Sequence, residues 1–521
     1  GNAIGRTNNA TTLVVGRNLG SIAYGSVLIA DTGGRIVITT VPTGVTAPVG
    51  GAGADGTTTA SIFPYMIGQA TTGAPTAADV GNSFVRHTSG RLRPLSTATG
   101  VDAEYIFDAP GFNLLADSTA SNVRFTATPG ATLNAASATT RTVNALAIDS
   151  SSGAVTVTGP GTDNLVLTSG ALLSTGAAAN NTALTGFAGI TTGTNNEYIV
   201  YVTNNQFTLG SPLTTSAAAL TKSGAGVLVL NGLTGNTYTG GTFFNQGLIE
   251  ASTLADLGPS GSLNFYGGGL RWATGATFDL SARQLLFGTG GATLDTNGNN
   301  VTFLDFNNVI GSGALTKDGA GVLTLNPSVT GILSTVWATN VNAGTLALGA
   351  SGAIGTGDLA LTNNGVLALG AGTGAANQTV SQLSGASTNS IVGGDAAVSV
   401  LTVNQSTTST YAGAIGGVGA NQNNLGLTKS GVGSLTLSGT ILSYAGPTVV
   451  NAGTLNLAGS PAAALATSAV TVARGATLNL VNSVGQALNL GSGVLTLGAS
   501  GTGSAVLGLE LGSPSAYDRI A

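Results

Sequence analysis

The sequence predicts an all-β protein whose strands stack as a right-handed parallel β-helix, a β-solenoid. Three observations predict it. The chain's three lysines occupy one position of one eleven-residue motif: LTKSGAGVLVL (220–230), LTKDGAGVLTL (315–325) and LTKSGVGSLTL (427–437). A shorter phrase, small residue-x-Leu-x-Leu, begins at Gly226, Gly321, Gly344, Gly365, Gly433, Gly453, Ala476 and Gly493, and its close starts lie roughly 17 to 23 residues apart. Charged residues are 7% of the chain against about 25% in ordinary globular domains, while hydrophobic residues are 42%. A repeat built on one short strand with little surface charge buries its core by stacking along an axis, not by swelling into a ball.

Each element follows from local rules. Leucines two apart point to one side of an extended strand, and the Val, Thr, Ala or Asn between them point to the other. Equivalent leucines of successive coils then form interior columns. Asn and Gly supply the corners, as at Asn342-Ala343-Gly344, Asn363-Asn364-Gly365 and Asn451-Ala452-Gly453, because both enter positive φ at low cost. Stacked asparagines can add amide ladders. A period near 22 residues predicts roughly 20 to 24 rungs. The competing fold is a string of tandem Ig-like β-sandwiches, since the lysine motifs lie at domain-like spacing.

Residues 1–125 read as an atypical N-terminal β region, a cap or irregular rungs, and 126–521 as the β-helix proper. The first part holds the one Met (Met66), the one His (His87) and the basic group Arg86, Arg91 and Arg93, which reads as a solvated strand or loop. The chain begins without Met and breaks off in a β-like phrase, so it reads as a segment of a longer or processed polypeptide.

Composition excludes several functions. With no cysteine there are neither disulfides nor thiolate metal sites. With a net charge of −5 and no basic stripe there is no nucleic-acid partner. No apolar run reaches transmembrane length. A Ser-His pair would need His87 as its base, and His87 reads as a surface or half-buried side chain. The densest acidic group is Asp102, Glu104 and Asp108. If that stretch is extended, Asp102 and Glu104 share a face, as the carboxyl pair of a carbohydrate-active β-helix would. Gly50 to Asp55 matches the start of a calcium-binding G-G-x-G-x-D turn, but stands alone. The three lysines are expected to project from corners into solvent. A functional lysine stripe would need them in register along the solenoid.

The lysine motifs carry a family likeness. LTKSGAGVLVL followed by NTYTGGT (236–242), and LTKSGVGSLTL followed by YAGPTVVNAGTLNL (444–457), resemble the autotransporter-associated β-strand repeat. The middle copy departs, running NPSVTGILSTVWATN after Leu325 without the Tyr-x-Gly-x-Thr phrase. The resemblance covers residues 220–500 well and the first 220 loosely. It implies a secreted, passenger-like β-helix on a bacterial surface; this chain shows none of the strand pattern of a translocating barrel. The expectation is a non-enzymatic structural or adhesive surface protein, with no catalytic residue, metal or cofactor. Its expected partners are itself, end-to-end or laterally, and surface glycans or other cells. The alternative is a polysaccharide lyase or hydrolase using the Asp102 region.

Overall fold

The computed structural model describes residues 9–17, 48–71, 79–88, 91–99, 102–107, 119–126, 131–132, 140–193, 196–203, 205–327, 337–372, 374–459, 469–481, 487–488, 490, 493–509 and 519–520. Among them the only helical turn is the 3-10 segment Leu254–Leu257. The remaining regular structure is strand, and the chain forms two compact units, Gly1–Ala273 and Thr274–Ala521.

The first unit contains two parallel ladders. One runs through Asn122–Thr126, Thr140–Ser150, Asn164–Gly176, Glu197–Val202, Ala219–Ser223, Thr242–Phe244 and Leu263–Phe265. The other runs through Val155–Thr158, Thr182–Thr185, Gln206–Gly210, Val227–Val229, Leu248–Ala251 and Gly269–Trp272. Leu228, Ile249 and Leu270 follow one another in register and are fully buried. Phe244 and Phe265 stack with centroids 4.4 Å apart.

A small mixed sheet accompanies these coils. Ala60–Thr71 pairs antiparallel with Val49–Ala52 and Ser83–Thr88, and Ser83–Thr88 pairs antiparallel with Arg91–Pro94. Thr12–Arg17 adds to it in parallel. Ile62, Phe63, Tyr65, Met66, Ile67, Phe84 and Val85 share a core with Ala145, Ala147, Ala171, Leu173, Ile199 and Tyr201 of the coil strands. Their neighbours Leu146, Ile148 and Leu172 are buried as well, and successive strand residues face opposite ways. These coil strands are therefore apolar on both faces, as strands buried on both sides are.

The second unit contains three long parallel ladders, besides the shorter parallel pairs of Leu285–Phe287 with Val309–Gly311 and Ala487–Leu488 with Arg519–Ile520. The longest runs from Ala292–Asp295 through Leu315–Asp318, Thr339–Val341, Leu359–Leu361, Leu383–Gly385, Thr408–Tyr411, Ser434–Leu437, Thr454–Leu457 and Thr477–Leu480 to Val506–Gly508. A second runs from Val301–Phe303 to Ala414–Ile415. The third runs from Gln378–Val380 to Leu495–Gly501. Leu323, Leu346, Leu367, Ile391 and Ile415 align in one interior column, and Leu435, Leu455 and Leu478 in another. Each of these is at most 3% exposed. A buried Leu contributes roughly 1.5–3 kcal/mol, so the columns supply the dominant cohesion of each coil.

Parallel pairing between consecutive coils excludes the Ig-like alternative, whose sheets are antiparallel. Among the described residues antiparallel pairing is confined to strands between Val49 and Pro94. The rungs are fewer than the period suggested: the longest ladder has ten strands in the second unit, and the corresponding one has seven in the first, counting Ala131–Thr132. Early residues go into the side sheet, and some coils are longer than the period; Thr408 to Ser434 advances one rung in 26 residues. The asparagine corners form as expected, with Asn363 at φ 43°, Asn364 at 69° and Gly344 and Gly453 both at 65°. Amide contacts link coils, Asn363 to Asn342 at 2.7 Å and Asn479 to Asn456 at 3.0 Å.

Candidate functional site

Two of the polar clusters buried among the described residues involve residues singled out above. The first gathers most of the N-terminal residues singled out above. Glu104 is 1% exposed. Its carboxylate accepts from Arg93 Nη1 (2.6 Å) and Nη2 (2.5 Å), from Arg86 Nη1 (3.4 Å), and from the backbone N–H groups of Ser96 (2.6 Å) and Gly56 (3.0 Å). Arg86 also donates to Gly53 O (3.3 Å) and Ala54 O (3.2 Å) and lies 3.1 Å from Asp55, while Arg93 donates to Asp55 at 2.7 Å.

This arrangement corrects two expectations. Arg86 and Arg93 are not a solvated basic group; they face each other across a hairpin and serve one buried carboxylate. The Gly50–Asp55 segment presents its Gly53 and Ala54 carbonyls and its Asp55 carboxylate to these guanidinium groups. Asp102 and Glu104 do not share a face, because residues 102–105 form a turn that leaves Asp102 exposed and Glu104 buried. Burial alone would raise the Glu104 pKa, but the bonds from Arg93, Ser96 and Gly56 outweigh it and hold the carboxyl below its usual range. A group so held does not donate a proton at neutral pH, as the acid of a glycosidase must. His87 sits half-buried opposite Leu92. Asp108 lies outside the described residues, as does the side chain of Arg91. No cluster of metal-ligating side chains occurs among the described residues.

The second cluster is the lysine corner, formed three times. Lys222, Lys317 and Lys429 are each 0% exposed, so the expectation that they project into solvent is overturned. Lysine and the leucine two before it share a strand face, and that face is the interior. Lys222 Nζ donates to Ser223 O (2.8 Å), Gly224 O (2.6 Å) and Gln246 O (3.0 Å). Lys317 Nζ donates to Asp318 O and Gly319 O (both 2.7 Å) and Ala343 O (3.0 Å). Lys429 Nζ donates to Ser430 O (2.6 Å), Gly431 O (2.8 Å) and Ala452 O (3.3 Å). An ammonium has three donors. Here two go to its own corner and one to the Asn-x-Gly corner of the next coil.

The glycine of that next corner is required by space as well as by φ. A Cβ on Gly247, Gly344 or Gly453 would lie 2.3–2.6 Å from two carbonyl oxygens of the lysine's coil. Tyr238 and Tyr444 complete two of the copies, bonding the inward Thr242 (3.1 Å) and Thr448 (2.9 Å). In the middle copy Trp337 is packed against Phe287 at 5.1 Å, and both Trp337 Nε1 and Thr339 Oγ1 are buried without a partner. The signal for the lysine was available in its even spacing from leucine. Lys317 and Lys429 do not form a stripe. Lys317 aligns with Leu294 and Val341 in one ladder, and Lys429 with Val403 and Val450 in another.

Burial disfavours the charged form of these lysines and lowers all three; Lys317, partly supported by Asp295 and Asp318, and Lys429 are brought to about 8 from 10.5. Between those values the unfolded chain binds more protons than the folded one, so stability rises with pH and is lost as pH falls toward 8. Tyr411 and Tyr444 act in the opposite sense, because burial raises them above 10.0 and the unfolded chain ionises first. The urea midpoint is therefore expected to climb from about pH 7.5 to a maximum near pH 10 and then fall. A flat profile up to the maximum would mean that the carbonyl triads fully compensate lysine desolvation.

Comparison with known proteins places these corners in context. Residues 220–251, 315–348 and 427–457 match the passenger-associated-transport-repeat family, so each matched segment begins at a lysine strand and includes the next coil's corner. The Adhesin BmaC autotransporter of Brucella suis biovar 1 (strain 1330) is 35% identical over 172 residues, which is 32% of this chain and 4% of that protein's length. No solved structure matches the chain.

Proposed function

We propose that this chain, a β-solenoid carrying three passenger-associated-transport repeats, is a stiff adhesive segment of a bacterial surface protein. The observation that carries the reading is the lysine corner itself, recurring in the three segments that match passenger repeats, in a chain similar over part of its length to an adhesin. The outward positions of one ladder support it. Thr379, Thr402, Thr428, Val449, Thr471 and Thr496 stand in register without a charge among them. Such a surface is flat, uncharged and rich in short hydrogen-bonding groups, which suits broad weak contact with carbohydrate better than turnover at one point. No described helix is long and apolar enough to cross a membrane.

The test is retention of chain-coated beads on glycan arrays and on cell monolayers. Saturable retention is expected, with no turnover of acidic or neutral polysaccharides. Turnover lost on Asp102→Ala would replace this reading with an enzymatic one.

A further inference from the structure

We propose that each buried lysine, with the inward threonine of the following coil, is a register lock that fixes which strand pairs with which. The inference is independent of adhesion.

Apolar matching alone does not choose the register. The Leu427–Lys429 strand pairs with Thr448–Val450, setting Leu427 against Thr448. The next strand of the ladder, Val470–Arg474, would set Leu427 against Val470 and Lys429 against Val472. That slipped pairing is the more apolar of the two at Leu427. The same choice recurs at the other copies. Leu220 faces Thr242, with Leu263 one coil further. Leu315 faces Thr339, with Leu359 one coil further. A slip loops out a single coil and forfeits the burial of its leucines, Leu455 and Leu457 in this copy, while each doubling of loop length adds only about 0.6 kcal/mol.

What opposes the slip is directional. Lys429 Nζ reaches Ala452 O at 3.3 Å. A one-coil slip would bring it to the Ala473-Arg474-Gly475 corner instead, which lacks the asparagine of the native Asn451-Ala452-Gly453 corner. Thr448 is fully buried and is partnered by Tyr444. A single buried polar residue in an apolar repeat is the kind of device that selects one alignment among near-equal ones. Three coils carry it, each in a different ladder.

The absence of cysteine makes the test clean. The pair Thr428→Cys/Val449→Cys joins adjacent coils, about 4.8 Å apart, and oxidises in the native register. The pair Thr428→Cys/Thr471→Cys spans two coils, about 9.6 Å, beyond the reach of a disulfide unless the chain has slipped. Each full chain is unfolded in urea, refolded and oxidised. With Lys429 present, only the native pair is expected to close. With Lys429→Met, the slipped pair is expected to close in at least about a tenth of the molecules, with a matching loss from the native pair. Lys429→Gln, which keeps a donor, serves if the Met variant does not fold, and is expected to slip less. A merely structural lysine would lower stability without creating slipped cross-links. Full native closure with no slipped product, in whichever of the two variants folds, overturns the proposal.

Discussion

Lys222→Ala is expected to destabilise the coils around it by about 4–6 kcal/mol. Two terms add. Truncating a long, fully buried side chain costs roughly 2–5 kcal/mol through lost burial and the cavity left behind. The carbonyls of Ser223, Gly224 and Gln246 also lose their shared donor, at roughly 1–3 kcal/mol for a group left buried and unpaired. Lys222→Met restores the packing but not the bonds and should recover about half. Guanidinium unfolding gives the size of the loss, and hydrogen exchange gives its place. Amides within residues 220–251 should lose protection before those of the second unit. A loss below about 1 kcal/mol would mean that the lysine is a tolerated passenger in the corner and not part of what holds it.

Glu104→Gln is expected to cost the N-terminal side sheet about 3–5 kcal/mol, the usual penalty for breaking a buried ion pair from one side. The amide keeps the shape of the carboxylate but leaves Arg93, and Arg86 beside it, with Asp55 as their remaining carboxylate and the carbonyls of Gly53, Ala54 and Pro94. Limited proteolysis should then open the segment between residues 48 and 107 while the lysine coils stay resistant. Acid should mimic the substitution. The Glu104 carboxyl is held below its ordinary value of 4.5. It therefore contributes its full stability above that value and loses it as pH falls through the lower folded pKa. Asp149 behaves in the same sense: its burial would raise its carboxyl, but Arg124 and Ser151 outweigh it and hold the group below its usual range. Arg124 joins Asp149 at 2.7 Å to Asn82 O at 2.7 Å and lies over the Tyr105 ring, tying side sheet to coil. Unchanged proteolysis in Glu104→Gln would show that the apolar core of the side sheet suffices without the cluster.

The readable and unreadable parts of this chain separate by range of interaction. Leu323, Leu346 and Leu367 were legible as an interior column because the two-residue parity and the repeat period are both local quantities. Gly344 and Gly453 were legible as corners because few residues accept positive φ. Lys222, Lys317 and Lys429 were misjudged because lysine is ordinarily a surface residue; burying it depends on three carbonyls, one of them more than twenty residues away. Glu104 was placed in a potential acid pair with Asp102 when its partners are Arg93 and Arg86, on strands of a hairpin that the β-helix pattern did not announce.

By itself the sequence determined the architecture: parallel coils, leucines inside, asparagine and glycine at the turns, and a motif repeated often enough to show its kin. Those properties follow from strand parity and from which residues tolerate a corner. Only the tertiary structure decided on which side of the corner each ammonium lies, which arginines neutralise which carboxylate, and that the early strands form a side sheet against the coils. Each of these depends on which coil lies next to which. Neighbouring coils carry nearly interchangeable apolar patterns, and so the pairing is settled by polar contacts that form only once the stack is assembled.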